Sequence, residues 1–168
     1  MDRQSLSVDE IEVTVRGFFT THYSFHTATG EWGELTLNGF RRCGRFVYPD
    51  GRTLELCLAD AWRQRYELRE AGWVRGEARP KSAWRRELTV RFDERDYLLS
   101  PRGAFSRDWF LTAADGTPLL AVRPRGFFKR GAFLDILGAL DGDLLVFAYY
   151  LAEKRWEAEG AAAAAAAS

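Results

Sequence analysis

The chain has 168 residues, 24 basic and 24 acidic side chains, and a hydrophobic fraction of 46%. That length and composition suit one folded domain, and they exclude a disordered chain, whose apolar content would be lower. Overall neutrality gives no strong nucleic-acid signal, because nucleic-acid binding needs a cationic excess.

The neutrality is uneven along the chain. Residues 1–60 hold 6 basic and 9 acidic side chains, residues 61–130 hold 16 and 9, and residues 131–168 hold 2 and 6. The middle is therefore the part suited to face anions. Only Lys81, Lys129 and Lys154 are lysines, so the arginine excess by itself says little about phosphate recognition.

The N-terminal stretch MDRQSLSVDEIEV has no apolar leader. In THYSFH, His22 and His26 stand four apart and share a face of a helix or a strand, as a metal site can begin. No H-E-x-x-H or Cys-His spacing accompanies them, so polar strand residues are the expectation and no metal is assigned. Asn38-Gly39 supplies a tight turn, with Arg41, Arg42 and Arg45 beside it as a charged edge. Cys43 and Cys57 are the two cysteines; with no C-x-x-C pair they read as reduced thiols in a cytoplasmic protein.

From there the period is two. FVYPDGRTLELCL at 46–58 reads as a hairpin about Asp50-Gly51, with Leu54, Leu56 and Leu58 on one face. RYELREAGWV at 65–74, the alternation Leu88, Val90, Phe92, and RDYLLSPRGAF at 95–105 continue the pattern. WFLTAADGTPLLAVRPRG at 109–126, turning at Asp115-Gly116, is the clearest hairpin. No helical period intervenes, which points to an antiparallel meander of ten to twelve strands closed into a barrel or folded as a sandwich.

VRPRGFFKRGAF at 122–133 is the main candidate site. Arg123, Arg125, Lys129 and Arg130 flank Phe127 and Phe128, and cations beside aromatics suit phosphate contacts with ring insertion at a lipid interface. DLLVFAYYLAEKRW at 143–156 differs from everything before it: Asp143 suits an N-cap and no turn residue follows until Gly160. The segment is too short and mixed for a membrane span. A helix over about 143–157 is expected, and since it is apolar on every side it needs enclosure all round, which a closed barrel gives. A last strand is the alternative. The tail at 160–168, GAAAAAAAS, is expected to be disordered.

A meander followed by a terminal apolar helix resembles the tubby-like superfamily: the tubby C-terminal domain, the phospholipid scramblases and the LURP-one-related proteins. The likeness rests on residues 109–126, FLDIL at 133–137 and residues 143–156. It implies a single domain over 1–159, mainly β, a barrel of about 12 strands around a central helix, with no catalytic residue and no cofactor. It also implies partners such as anionic lipid or phosphoinositide head groups, met at the outer surface by a cytoplasmic protein peripheral to the membrane. The chain has no proline-rich extension and no palmitoylation-type cysteine cluster, so scramblase activity is not carried over.

No G-x-S-x-G elbow and no phosphate-cradling glycine loop occurs, and no pair of carboxylates stands out. The expectation is a non-enzymatic binding or scaffold module. A small-molecule carrier of lipocalin type is the alternative, separated from it by whether residues 143–156 fill the barrel or pack outside it.

Overall fold

A computed structural model describes residues 9–126 and 129–168. The strands, in order, are β1 (Glu10–Arg16), β2 (Thr20–Thr27), β3 (Gly30–Asn38), β4 (Cys43–Val47), β5 (Thr53–Asp60), β6 (Arg65–Glu70), β7 (Trp73–Pro80), β8 (Leu88–Phe92), β9 (Arg95–Pro101), β10 (Trp109–Ala113), β11 (Pro118–Pro124) and β12 (Gly131–Ile136), followed by helix α1 (Gly142–Ala166). Each strand pairs antiparallel with the next. β1 pairs with β12 through Ile11 opposite Leu134 and Val13 opposite Ala132, which closes the barrel. The expected closed antiparallel barrel of twelve strands around a terminal helix is thus the fold observed.

Alternation sets the two faces. Ile11 and Val13 in β1, Leu35 and Leu37 in β3, Leu54 and Leu56 in β5, and Leu88, Val90 and Phe92 in β8 all point inward and are buried. Their neighbours in sequence face outward, as the two-residue period of a strand requires. The interior is wide enough for a helix, and α1 occupies it. Every residue from Leu144 to Ala152 is buried, and Tyr149 packs edge-on to Tyr23 and Phe25 at centroid distances of 5.8 and 5.2 Å. Where the wall comes closest it carries a glycine: a Cβ on Gly76 of β7 would lie 3.1 Å from the Phe147 ring.

Two expectations are corrected. Cys43 and Cys57 are joined in a disulfide, because the β4–β5 register sets them directly opposite each other with Cα atoms 4.0 Å apart. The reduced thiols on which a cytoplasmic setting rested are therefore not observed. The helix also extends past residue 157, through Gly160 to Ala166, where Ala167 caps it. Alanine has the highest helix propensity, and one glycine costs only about 1 kcal/mol, so a run of seven alanines carries the helix beyond it. Among the described residues, no helix is long and apolar enough to cross a membrane.

Candidate functional site

An up-and-down barrel gathers alternate turns at opposite ends. The β3–β4, β5–β6, β7–β8, β9–β10 and β11–β12 loops lie with the β1–β2 turn at the end where α1 emerges. The other turns and the β12–α1 connection lie where α1 begins. The two ends are chemically different, and the difference begins with how the helix is held at each.

At the entry end the N-cap is Asp141 and not the expected Asp143, which lies inside the first turn of α1: the Asp141 carboxylate accepts from the Asp143 amide at 2.8 Å. The Asp143 carboxylate is buried and accepts from both Nη atoms of Arg52, from Arg75 and from the Tyr48 hydroxyl. Arg75 also reaches Asp93 at 2.8 Å, and Glu70 takes a further hydrogen bond from Arg52 at 2.9 Å. Burial alone would raise the Asp143 pKa, but the hydrogen bonds from Arg52, Tyr48 and Arg75 outweigh it and hold it below the usual carboxylate range. Burial beside this carboxylate also pushes the Tyr48 phenol up. This closed network anchors the helix and fixes the strand ends around it.

At the exit end, Glu153 receives a hydrogen bond from Tyr23 at 3.0 Å and lies 3.4 Å from the Tyr149 hydroxyl. Burial raises its pKa above the usual range despite those bonds. Further along, Trp156 Nε1 donates to the Arg107 carbonyl at 2.9 Å, and Arg86 Nε donates to Glu159 at 2.8 Å. Arg86 Nη1 also donates to the carbonyls of Ala104 and Ser106, so the helix exit is bound to two loops at once. Arg155 donates through Nη1 to Gln64 at 3.1 Å, while its Nε and Nη2 are buried without a partner.

The candidate residues of 122–133 divide. Arg123 forms two hydrogen bonds to Asp135 and a 3.5 Å ion pair with Glu10, and Arg125 pairs with Glu12 at 2.6 Å. Both guanidinium groups lie over Phe133, so they are fastened to the outer wall by β1 and β12. Lys129 and Arg130 are exposed in the β11–β12 loop, where Arg130 Nη1 donates to the Gly17 carbonyl at 3.1 Å. Phe127 and Phe128 lie outside the described residues. Arg41 and Arg42, which the sequence sets far from this segment, stand exposed at the same end of the barrel.

His22 and His26 face outward from β2. His22 Nδ1 lies 2.9 Å from Glu34, which also pairs with Arg16 at 2.7 Å, and His26 Nε2 lies 3.3 Å from Thr14. No group of three metal-ligating side chains occurs among the described residues.

What the reading of single segments missed is a property of the whole end. Among the described residues, the six exit-end loops carry eleven basic and two acidic side chains, whereas the entry-end turns and the β12–α1 connection carry one basic and five acidic. A chain of zero net charge is thus folded into a barrel with a positive and a negative end. Exposed aromatics follow the same division: Phe18, Phe19, Phe40, Trp62, Trp84 and Phe105 lie in exit-end loops, each between 73% and 100% exposed. Among the large exposed aromatics, Trp73 alone of the described residues stands at the entry end.

The signal was present in the sequence as a spacing. Phe18, Phe40, Trp62, Trp84 and Phe105 follow one another at 22, 22, 22 and 21 residues, each directly after a glycine or an alanine. One such interval is two strands and two turns, which returns the chain to the same end. Comparison with protein-family models, with curated proteins and with solved structures finds no match to this chain.

Proposed function

We propose that the domain is a non-enzymatic binding module that engages phosphate-bearing anionic surfaces with the exit end of its barrel. The observation that carries this reading is the charge separation between the two ends, which a net charge of zero conceals. A cationic ring of loops concentrates field at one face and orients the whole domain toward an anionic partner. Arg41, Arg42, Arg63, Lys129 and Arg130 are all exposed there, on three different loops of the ring. The carrier alternative loses support because its ligand space is filled: the side chains of Leu144 to Ala152 occupy the barrel interior.

The test is sedimentation of the whole chain with anionic vesicles, neutral vesicles and soluble polyphosphate at low and high salt. Binding is expected to the anionic partners only, and to weaken as salt screens the loops. Replacing Arg41, Arg63 and Lys129 together by glutamate removes three cations, each worth about 1 kcal/mol near an anionic surface, and should lower affinity by at least about a hundredfold. Equal and negligible binding to all three partners rejects the reading.

A further inference from the structure

Charge alone suits any polyanion, and the exposed aromatics narrow the choice. Phe18 and Phe19, Phe40, Trp62, Trp84 and Phe105 sit in five successive loops around the exit end, each tip with a basic residue within two positions. Burying such side chains is the ordinary fate of large rings in a domain of this size, so five loops that keep them in water mark a surface that meets another phase or partner. Because the strands follow one another around a closed barrel, the five loops that carry these rings succeed one another around its rim. Loops spaced around one end of a barrel can be met together by a flat surface. Rings with cations directly beside them match the bilayer boundary, where Trp and its kin occupy the headgroup layer and Arg reaches anionic phosphates.

The helix agrees with this placement. After the Arg86–Glu159 contact, residues 160–166 continue α1 at the exit end, exposed and without a charged side chain. At 1.5 Å per residue that stretch is about 10 Å, the depth interfacial helices reach, so it enters a headgroup layer without carrying side-chain charge into it.

We infer that the exit end docks on an anionic lipid bilayer, with Phe18, Phe19, Phe40, Trp62, Trp84 and Phe105 entering the interface and the neighbouring arginines contacting lipid phosphates. This rests on the anion-binding reading above and adds the identity of the partner. The opposite end, with its acidic turns and Trp73, faces away from the membrane.

Tryptophan position supplies the test. The whole chain is mixed with phosphatidylcholine vesicles, with and without phosphatidylserine, containing lipids brominated near the headgroup. With phosphatidylserine present, the emission of Trp62 and Trp84 should be quenched, the W62F/W84F variant should lose most of that quenching, and W73F should keep it. A variant with F40A, W62A, W84A and F105A, all at exposed positions, should bind vesicles at least about tenfold more weakly while binding soluble polyphosphate as before. Vesicle binding without quenching, or quenching lost with W73F instead, overturns the docking geometry and leaves the anion-binding reading standing. Binding to polyphosphate or single-stranded RNA in preference to anionic vesicles overturns the bilayer as partner in the same way. No binding to any of them removes both.

Discussion

The carboxylate of Asp143 sits squarely on the guanidinium of Arg52, with Nη2 to Oδ1 at 2.8 Å and Nη1 to Oδ2 at 2.9 Å. The pair joins the first turn of the central helix to the start of β5, and Arg75 of β7 and Tyr48 bind the same carboxylate. A charge at 4% exposure is tolerable only with such partners; removing one side leaves the others buried and unpaired. Asp143→Ala should therefore cost about 3 to 5 kcal/mol in urea unfolding, whereas substitution of an exposed acid such as Glu31 should cost less than about 0.5 kcal/mol. A loss no greater than that of the surface control would show that the network does not hold the helix.

The same group sets a pH dependence. Its folded pKa is depressed, so its contribution to stability is present above the unfolded value, about 3.9, and is lost as pH falls through the folded value. The melting temperature of the wild type should fall on acidification below about pH 4, and part of that fall should be missing in Asp143→Asn. Parallel curves for the two proteins would assign the acid sensitivity to other carboxylates.

Glu153 acts in the opposite sense. Its pKa is raised chiefly by burial, with Glu157 adding to the rise, and Tyr23, Tyr149 and Arg130 opposing it. A carboxyl whose folded pKa lies above its unfolded value favours folding while protonated. Stability is then lost as pH rises from the unfolded value, about 4.3, through the folded one. Glu153→Gln keeps an acceptor for the Tyr23 hydroxyl and removes the ionisation. It should raise the melting temperature at neutral pH and flatten the slope in that window, while leaving the behaviour at pH 4 unchanged. A variant less stable than wild type at pH 7 would mean that the ionised carboxylate is needed.

The barrel was legible because its evidence is local and repetitive. Leu54, Leu56 and Leu58 alternate with polar neighbours, Asp50-Gly51 and Asp115-Gly116 mark hairpins, and LLVFAYYLA has no polar side to leave in water. Enclosure of that helix follows from its composition alone. The candidate site was less legible, because it depends on which loops share an end. Arg41 and Lys129 are 88 positions apart and meet only through the strand count between them. The exposure of Trp62 and Trp84 becomes evident once each falls at a turn rather than within a strand. Arg123 and Arg125 illustrate the converse. They look free in sequence, yet the β1–β12 and β11–β12 pairings bring Glu10, Glu12 and Asp135 onto them.

The cross-strand disulfide gives a chemical prediction. Cys43 and Cys57 are directly paired across β4 and β5, so neither thiol should react with an alkylating reagent until the protein is reduced. The loop they close is short, and the chain-entropy estimate for one of that size is about 3 kcal/mol. Because the turn at Asp50-Gly51 already brings the strands together, reduction should cost less than that, and the reduced barrel should remain folded. Full labelling of both cysteines in unreduced, native protein would disprove the bond.

Gly76 tests how tightly wall and helix fit. It lies on β7 where Phe147 of α1 leans against the barrel, and a Cβ there would stand 3.1 and 3.2 Å from two ring carbons and 3.3 Å from Phe92. Those neighbours are themselves buried, so the ring cannot swing out to solvent; it can yield only by pushing α1 toward the opposite wall. Gly76→Ala adds one methyl and gains from reduced chain entropy in the unfolded state, so its cost should be at most about 1 kcal/mol. Gly76→Val adds two further methyl groups into the same gap and should cost about 1 to 3 kcal/mol. If the clash with Phe147 is the cause, Phe147→Leu in the Gly76→Val background should recover part of the loss, although Phe147→Leu alone destabilises. A double-mutant cycle from urea midpoints measures that coupling, and strict additivity would show that the helix is not in register with β7 as described.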